Sequence, residues 1–242
     1  MFGVHAIELL EDSLLKIGLT LNSKQIEQFI KYYDMLIEKN KVMNLTAITE
    51  FEEVINKHFV DSLSIIKVYK TMEEKKVLDM GTGAGFPGIP LKIAFPSLNI
   101  TLLDSLNKRV NFLNDVVSEL DLKNIQAIHG RAEDFGKDIN FRGQYDLCVS
   151  RAVAKLSTLS EYCLPYVKIN GYFISYKSGN IEEELEESKR AIKVLGGEID
   201  LVDRFNLPGT DMERSFIVIK KILTTPKIYP RSAGKPTKEP IK

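Results

Sequence analysis

The stretch Val77-Leu-Asp-Met-Gly-Thr-Gly-Ala-Gly-Phe-Pro-Gly88 decides how the chain is read. A short apolar run, Val77 to Met80, enters a turn that carries Gly81, Gly83, Gly85 and Gly88, and a helix is expected to begin near Pro90. Glycines let a ligand approach the backbone closely, and the N-terminus of the following helix offers unpaired N–H donors. A nucleotide-like ligand is therefore expected at the carboxyl end of this first strand.

Downstream of the turn, short apolar runs alternate with amphipathic stretches. Strands are expected at 77–80, 100–104, 125–129, 145–150 and 172–176, with helices near 88–95, 107–120, 156–167 and 181–195. That alternation indicates a mostly parallel α/β sheet. The segments 198–205 and 215–222, separated by Pro208-Gly209, are expected to add an antiparallel edge hairpin, for seven strands in all. Upstream, apolar residues recur at helical spacing through Ile7, Leu10 and Leu14, then Ile26 to Ile37, then Phe51 to Ile66, so residues 1–70 read as a helical extension. Asn22 or Ser23 is the expected cap of the second helix, and Thr49 with Glu52 the capping box of the third. The central domain spans 71–222. Residues 223–242 form a Pro-rich tail with no hydrophobic period, in which neither a helix nor a central strand is expected.

The chain has 242 residues, 44% hydrophobic and 27% charged, which is ordinary globular usage and excludes disordered and disulfide-stapled classes. The longest charge-free stretch, Met80 to Leu91, is too short and too rich in Gly and Pro for a membrane span. The acidic start, with Glu8, Glu11 and Asp12, is the opposite of a secretory signal, so a cytoplasmic protein is expected. Cys148 and Cys163 stand in apolar settings and are expected to be buried thiols, and His58 alone makes no metal site. The net charge of zero is uneven: residues 220–242 hold seven basic residues and one acid, which leaves the remainder at −6. A basic tail suits a polyanion, although charge alone weighs this evenly against a solvated terminus.

The identity of the nucleotide turns on the carboxylates. Gly83-x-Gly85-x-x-Gly88 satisfies the dinucleotide fingerprint, and Asp104 stands where a ribose-binding acid would, so spacing alone leaves NAD(P) and an oxidoreductase open. Pro87 removes a donor from the turn, and Asp79 would repel a pyrophosphate while suiting an ammonium or sulfonium group. S-adenosylmethionine has both cations and no phosphate. In His129-Gly-Arg-Ala-Glu133, a carboxylate after the third strand can accept from an adenine amino group while backbone N–H groups at Ala132 or Glu133 donate to the ring.

Several motifs together resemble the bacterial 16S ribosomal RNA guanine-N7 methyltransferase family, also called glucose-inhibited division protein B. They are Asn44-Leu-Thr-Ala-Ile48, His58-Phe-Val-Asp-Ser62, Asp79 to Pro90, Leu103-Asp-Ser-Leu-Asn-Lys-Arg109, Gly130-Arg-Ala-Glu133, Ser150-Arg-Ala152 and Tyr229-Pro-Arg-Ser-Ala-Gly-Lys-Pro236. The resemblance implies a Rossmann-like class I methyltransferase fold, S-adenosylmethionine as donor, and a guanine of 16S ribosomal RNA, free or in the small subunit, as acceptor. It places Gly81, Gly83, Phe86, Asp104, Ala132, Glu133 and Arg151 around the cofactor. In the tail, Arg231 and Lys235 are the expected RNA-phosphate contacts, the tail is expected to pack on or near the active site, and a monomer is expected. A nucleotide-sensing RNA-binding module without catalysis is the remaining alternative. Guanine N7 carries no proton, so no catalytic base is required and catalysis by positioning is expected. Arg151 is a candidate for the methionine carboxylate or guanine O6. His58, Asp61 and Ser62 share one side of the third helix, where the resemblance marks them without supplying a role.

Overall fold

A computed structural model describes residues 4–151 and 154–242. Ala152, the last residue of one quoted motif, lies outside them. The centre is a seven-stranded sheet in the order β3-β2-β1-β4-β5-β7-β6. Its strands are β1 (Lys76–Met80), β2 (Asn99–Asp104), β3 (Ile125–His129), β4 (Tyr145–Arg151), β5 (Val167–Ser178), β6 (Gly197–Asn206) and β7 (Glu213–Lys221). The first five pair in parallel, and β7 pairs antiparallel with both β5 and β6. The C-terminal hairpin is thus present with β6 at the edge and β7 inside. The order reverses between β1 and β4, the switch point beside which open α/β sheets bind ligands at their carboxyl ends.

Consecutive residues of β1 feed opposite cores, as parallel strands covered on both faces require. Val77 joins the layer of α1 (Val4–Leu15), α2 (Ser23–Met43), α5 (Gly88–Ala94) and α6 (Asn107–Glu119), with Leu36, Phe29, Ile93 and Leu113. Leu78 joins the layer of α8 (Leu156–Cys163) and α9 (Glu182–Val194), with Leu159, Cys163 and Ile192. Cys148 and Cys163 are buried free thiols.

Asn22 caps α2 in a reciprocal box with Gln25. The box expected at Thr49 does not form. Glu50 is the N-cap there without a side-chain bond, and the Thr49 carbonyl accepts from the Tyr33 hydroxyl at 2.9 Å. This third helical stretch is also not one regular helix: α3 (Phe51–Val54) passes through a π segment (Ile55–Val60), α4 (Asp61–Leu63) and a 3-10 turn (Ser64–Lys67). π segments recur at functional sites.

Two expectations need correction. β5 starts five residues before 172, because Lys168, Asn170 and the positive φ of Asn170 mask the strand pattern at a register irregularity. The tail contains a single helical turn, α10 (Lys235–Lys238), which Pro236 tolerates because a first-turn N–H has no helical partner to lose. Among the described residues, no helix is long and apolar enough to cross a membrane.

Candidate functional site

The glycine turn is folded around Asp79, not around a ligand. Gly81, Gly83 and Gly85 all have positive φ, 69°, 63° and 108°. The Asp79 carboxylate, fully buried, accepts from Thr82 Oγ1 at 2.6 Å and the Gly88 amide at 2.8 Å, both at Oδ2. A Cβ at Gly88 would strike Leu102 and this same oxygen. Asp79 was expected to face a cationic ligand; its bonds to the turn instead draw it underneath. Burial pushes its pKa up to about 7, although the two hydrogen bonds and Arg151 act the other way.

Beyond the ends of β1, β2 and β3 lies a recess of about 340 Å³. Met80 and Leu103 supply apolar wall, Gly81 and Ala132 bring backbone, and Asp104 and Glu133 bring carboxylates. Asp104, 3% exposed, accepts from the amides of Gly83 and Leu106, each at 2.9 Å, and Arg109 lies 3.5 Å away. Gly83 therefore acts on this wall through Asp104. The small α7 helix (Ala132–Phe135) presents Glu133, whose Oε1 accepts from the Gly234 amide at 2.8 Å. Tyr162 of α8 and Thr237 of α10 complete the wall, their hydroxyls 3.0 Å apart. S-adenosylmethionine fits this chemistry. Its ribose hydroxyls and adenine amino group are donors that need carboxylates, and its purine needs the apolar wall, whereas a pyrophosphate would meet two acids here.

Arg151, expected beside the same ligand, lines instead a second recess of about 570 Å³, and Phe86, also expected beside that ligand, lines neither. Arg151, at the end of β4, lies 4.9 Å over the Phe86 ring, and His58 stacks on that ring at 4.5 Å. The π segment delivers His58 and the Lys57 carbonyl, which accepts from Arg151 Nη1 at 3.0 Å. Asp61, 4% exposed, holds Arg151 Nη1 and Arg214 Nε, each at 2.9 Å. Burial, reinforced by Arg151, lowers the His58 pKa to about 3, so its imidazole is neutral and weakly basic. The three residues of the His58 motif thus part company: His58 and Asp61 line the recess, and Ser62 is buried behind it with its carbonyl on the Tyr176 hydroxyl at 2.8 Å.

The tail reaches the first recess along a fixed route. Arg142 donates to the carbonyls of Gly136, Thr225, Pro226 and Tyr229 at 2.7 to 3.2 Å. Arg231 was expected to face RNA, but its guanidinium grips Glu161 with bonds of 2.6 to 3.1 Å, and its own amide adds another at 2.8 Å. The reason is Glu161 itself, a carboxylate of α8 only 1% exposed, which needs a cation. Lys235 is half-exposed beside Glu239.

Sequence reasoning missed Tyr162, Thr237 and Gly234 on the wall of the first recess and Arg214 on that of the second. Glu161 was the available signal: an acid inside the buried stripe Leu156, Leu159, Ser160 and Cys163 demands a distant base.

Comparison with known proteins identifies the family. The model of the family described as rRNA small subunit methyltransferase G matches residues 25–212. A ribosomal RNA small subunit methyltransferase G of Lachnoclostridium phytofermentans is 60% identical over 94% of each chain. Its counterpart in Desulforamulus reducens is 56% identical over 91% of this chain and 92% of that one. Among solved structures, a SAM-dependent methyltransferase from Aquifex aeolicus aligns with a TM-score of 0.52 at 19% identity, over 69% of this chain and 92% of that one, and at that identity supports the fold alone. These matches set the oxidoreductase reading aside. With more than half of the chain matched by that model and relatives at 60% and 56% identity, the protein belongs to the rRNA small subunit methyltransferase G family.

Proposed function

We propose that this protein transfers the methyl group of S-adenosylmethionine to N7 of a guanine in 16S ribosomal RNA. The observation that carries the reading is a pair of recesses, one lined by Asp104 and Glu133, the other rich in cations. Asp104 and Glu133 are the proposed partners of the ribose and adenine, with Gly81 and Ala132 providing backbone contacts and Phe86 and Arg151 bounding the reactive end. When bound, the cofactor supplies an electrophilic methyl group on a sulfonium. The residues around it then have only to align a nucleophile, since guanine N7 presents a lone pair and no proton. His58, neutral and weakly basic, is not required to accept one. Lys235 is the proposed phosphate contact of the tail, while Arg231 holds the tail in place. The acting unit is proposed to be a cytoplasmic monomer.

Calorimetry of the dialysed protein with S-adenosylmethionine, S-adenosylhomocysteine and NADH tests the donor. Radiolabel transfer to naked 16S RNA and to small subunits from cells lacking the protein tests the acceptor, and nucleotide mapping tests the position. Binding of the first two ligands and a label on one guanine N7 are expected. Binding of NADH alone, or RNA binding without label, would overturn the proposal.

A further inference from the structure

The second recess has more positive charge than its own acid answers. Its wall carries Lys57, Arg151, Lys177 and Arg214, and Asp61 is the only acid among the described residues that line it. Lys57 pairs with Glu53, and Lys177 with Glu184 at 2.7 Å, both acids lying off the wall. Arg151 and Arg214 must therefore share Asp61, with side chains only 14% and 19% exposed. Two guanidiniums on one carboxylate leave a net positive charge in a half-desolvated place, and an anion is its natural complement.

The unused donors point the same way. A guanidinium carries five N–H groups. Arg214 places Nε on Asp61 and one Nη1 hydrogen on the Glu213 carbonyl, while Nη2 has only the Met212 sulfur at 3.9 Å. The outer edge of its fork is thus free of strong acceptors among the described residues, and that edge matches a phosphate's oxygens. Arg151 is more fully used, on Asp61, the Lys57 carbonyl and His58. It also lies against Phe86, closer to the glycine turn. The two arginines come from strands on either side of β5 and are brought together only by Asp61, from α4.

We infer that this recess holds a phosphodiester of the RNA acceptor, with Arg214 as its ligand and Asp61 as the positioning residue that aims Arg214 and Arg151 as a unit. The inference rests on the RNA-methyltransferase reading. Another source of the same oxyanion chemistry is the cofactor's own carboxylate, and the experiment separates the two.

Wild type, Arg214→Gln, Arg214→Lys and Asp61→Asn are compared by RNA affinity over a salt series, cofactor calorimetry, single-turnover methylation and thermal melting, all with 16S RNA. Arg214→Gln is expected to lower RNA affinity at least tenfold at low salt and to reduce the log K against log salt slope by about 0.7, one phosphate contact on single-stranded RNA. Its cofactor affinity stays within about twofold. Arg214→Lys, which keeps the charge opposite Asp61, retains the slope and still loses affinity because the fork is gone. Asp61→Asn retains the slope but lowers the single-turnover rate at saturating RNA, which a purely structural role would not do if the variant melts normally. An unchanged slope and RNA affinity in Arg214→Gln would overturn the inference. So would a loss of cofactor affinity with the slope intact, which assigns the recess to the cofactor carboxylate. Failure of wild type to bind cofactor and label RNA refutes the underlying reading instead, and is seen before any variant is compared.

Discussion

Arg231→Ala tests whether the tail is held by charge. Glu161 is 1% exposed and accepts four bonds, all from Arg231. Deleting one partner of a buried pair costs about 3–5 kcal/mol, because the other charge stays behind. A loss of about 4 kcal/mol is therefore expected at pH 7. At roughly 2–4 °C per kcal/mol for a chain of this size, the melting temperature falls by about 8–16 °C. Because Gly234 and Thr237 wall the first recess, cofactor affinity should fall as well, while the salt slope for RNA stays the same. A melting temperature within about 2 °C of wild type would refute the claim that Arg231 neutralises a buried acid.

Other expectations follow from the same geometry. Asp104→Asn should weaken S-adenosylmethionine binding about 10- to 150-fold by calorimetry, and should also lower thermal stability, because one of the amides of Gly83 and Leu106 loses its acceptor. Asp79 has a folded pKa near 7, above its unfolded value, so its contribution is present below about pH 4 and is lost as pH rises through 7, on the order of 4 kcal/mol. Asp79→Asn should accordingly gain stability over wild type in melts at pH 8 relative to pH 5, and equal offsets at both would count against a buried charge there. In that variant, the single-turnover rate with bound cofactor should be flat from about pH 6 to 8.5, since His58 stays neutral throughout; a tenfold rise tracking one ionisation would show that a base acts. Lys235→Ala should reduce the RNA salt slope by about 0.7 without moving the melting temperature, and an unchanged slope removes Lys235 from the RNA contacts.

The sheet and the glycine turn were legible because they rest on local pattern: apolar runs at strand length, helical spacing between them, and four glycines at the end of the first strand. Asp104 and Glu133 were legible for the same reason, one closing the second strand and the other standing in the turn after the third. What local pattern conceals is pairing across distance. Arg231 lies 70 residues from Glu161, and Arg214 lies 153 from Asp61, so neither spacing nor composition announces the bond. The charge of the tail was read as available for RNA, yet its one arginine is consumed by an acid buried in α8. Asp79 shows the opposite limit. Its position in the turn was plain, but only the fold reveals that both bonds go to one oxygen and that they face inward.

The grip of Arg142 on the carbonyls of Thr225, Pro226 and Tyr229 has a consequence for which residues can drift. A carbonyl is the same whatever side chain its residue bears, so the fork recognises the path of the strap and is blind to its composition. Substitutions at 225 and 226 should be tolerated as far as this anchor is concerned, while a lysine at 142, a point charge without the planar fork, would lose the simultaneous hold on four carbonyls from two segments. The wall that the tail adds to the first recess is in this way specified from outside itself, by one residue some eighty positions upstream.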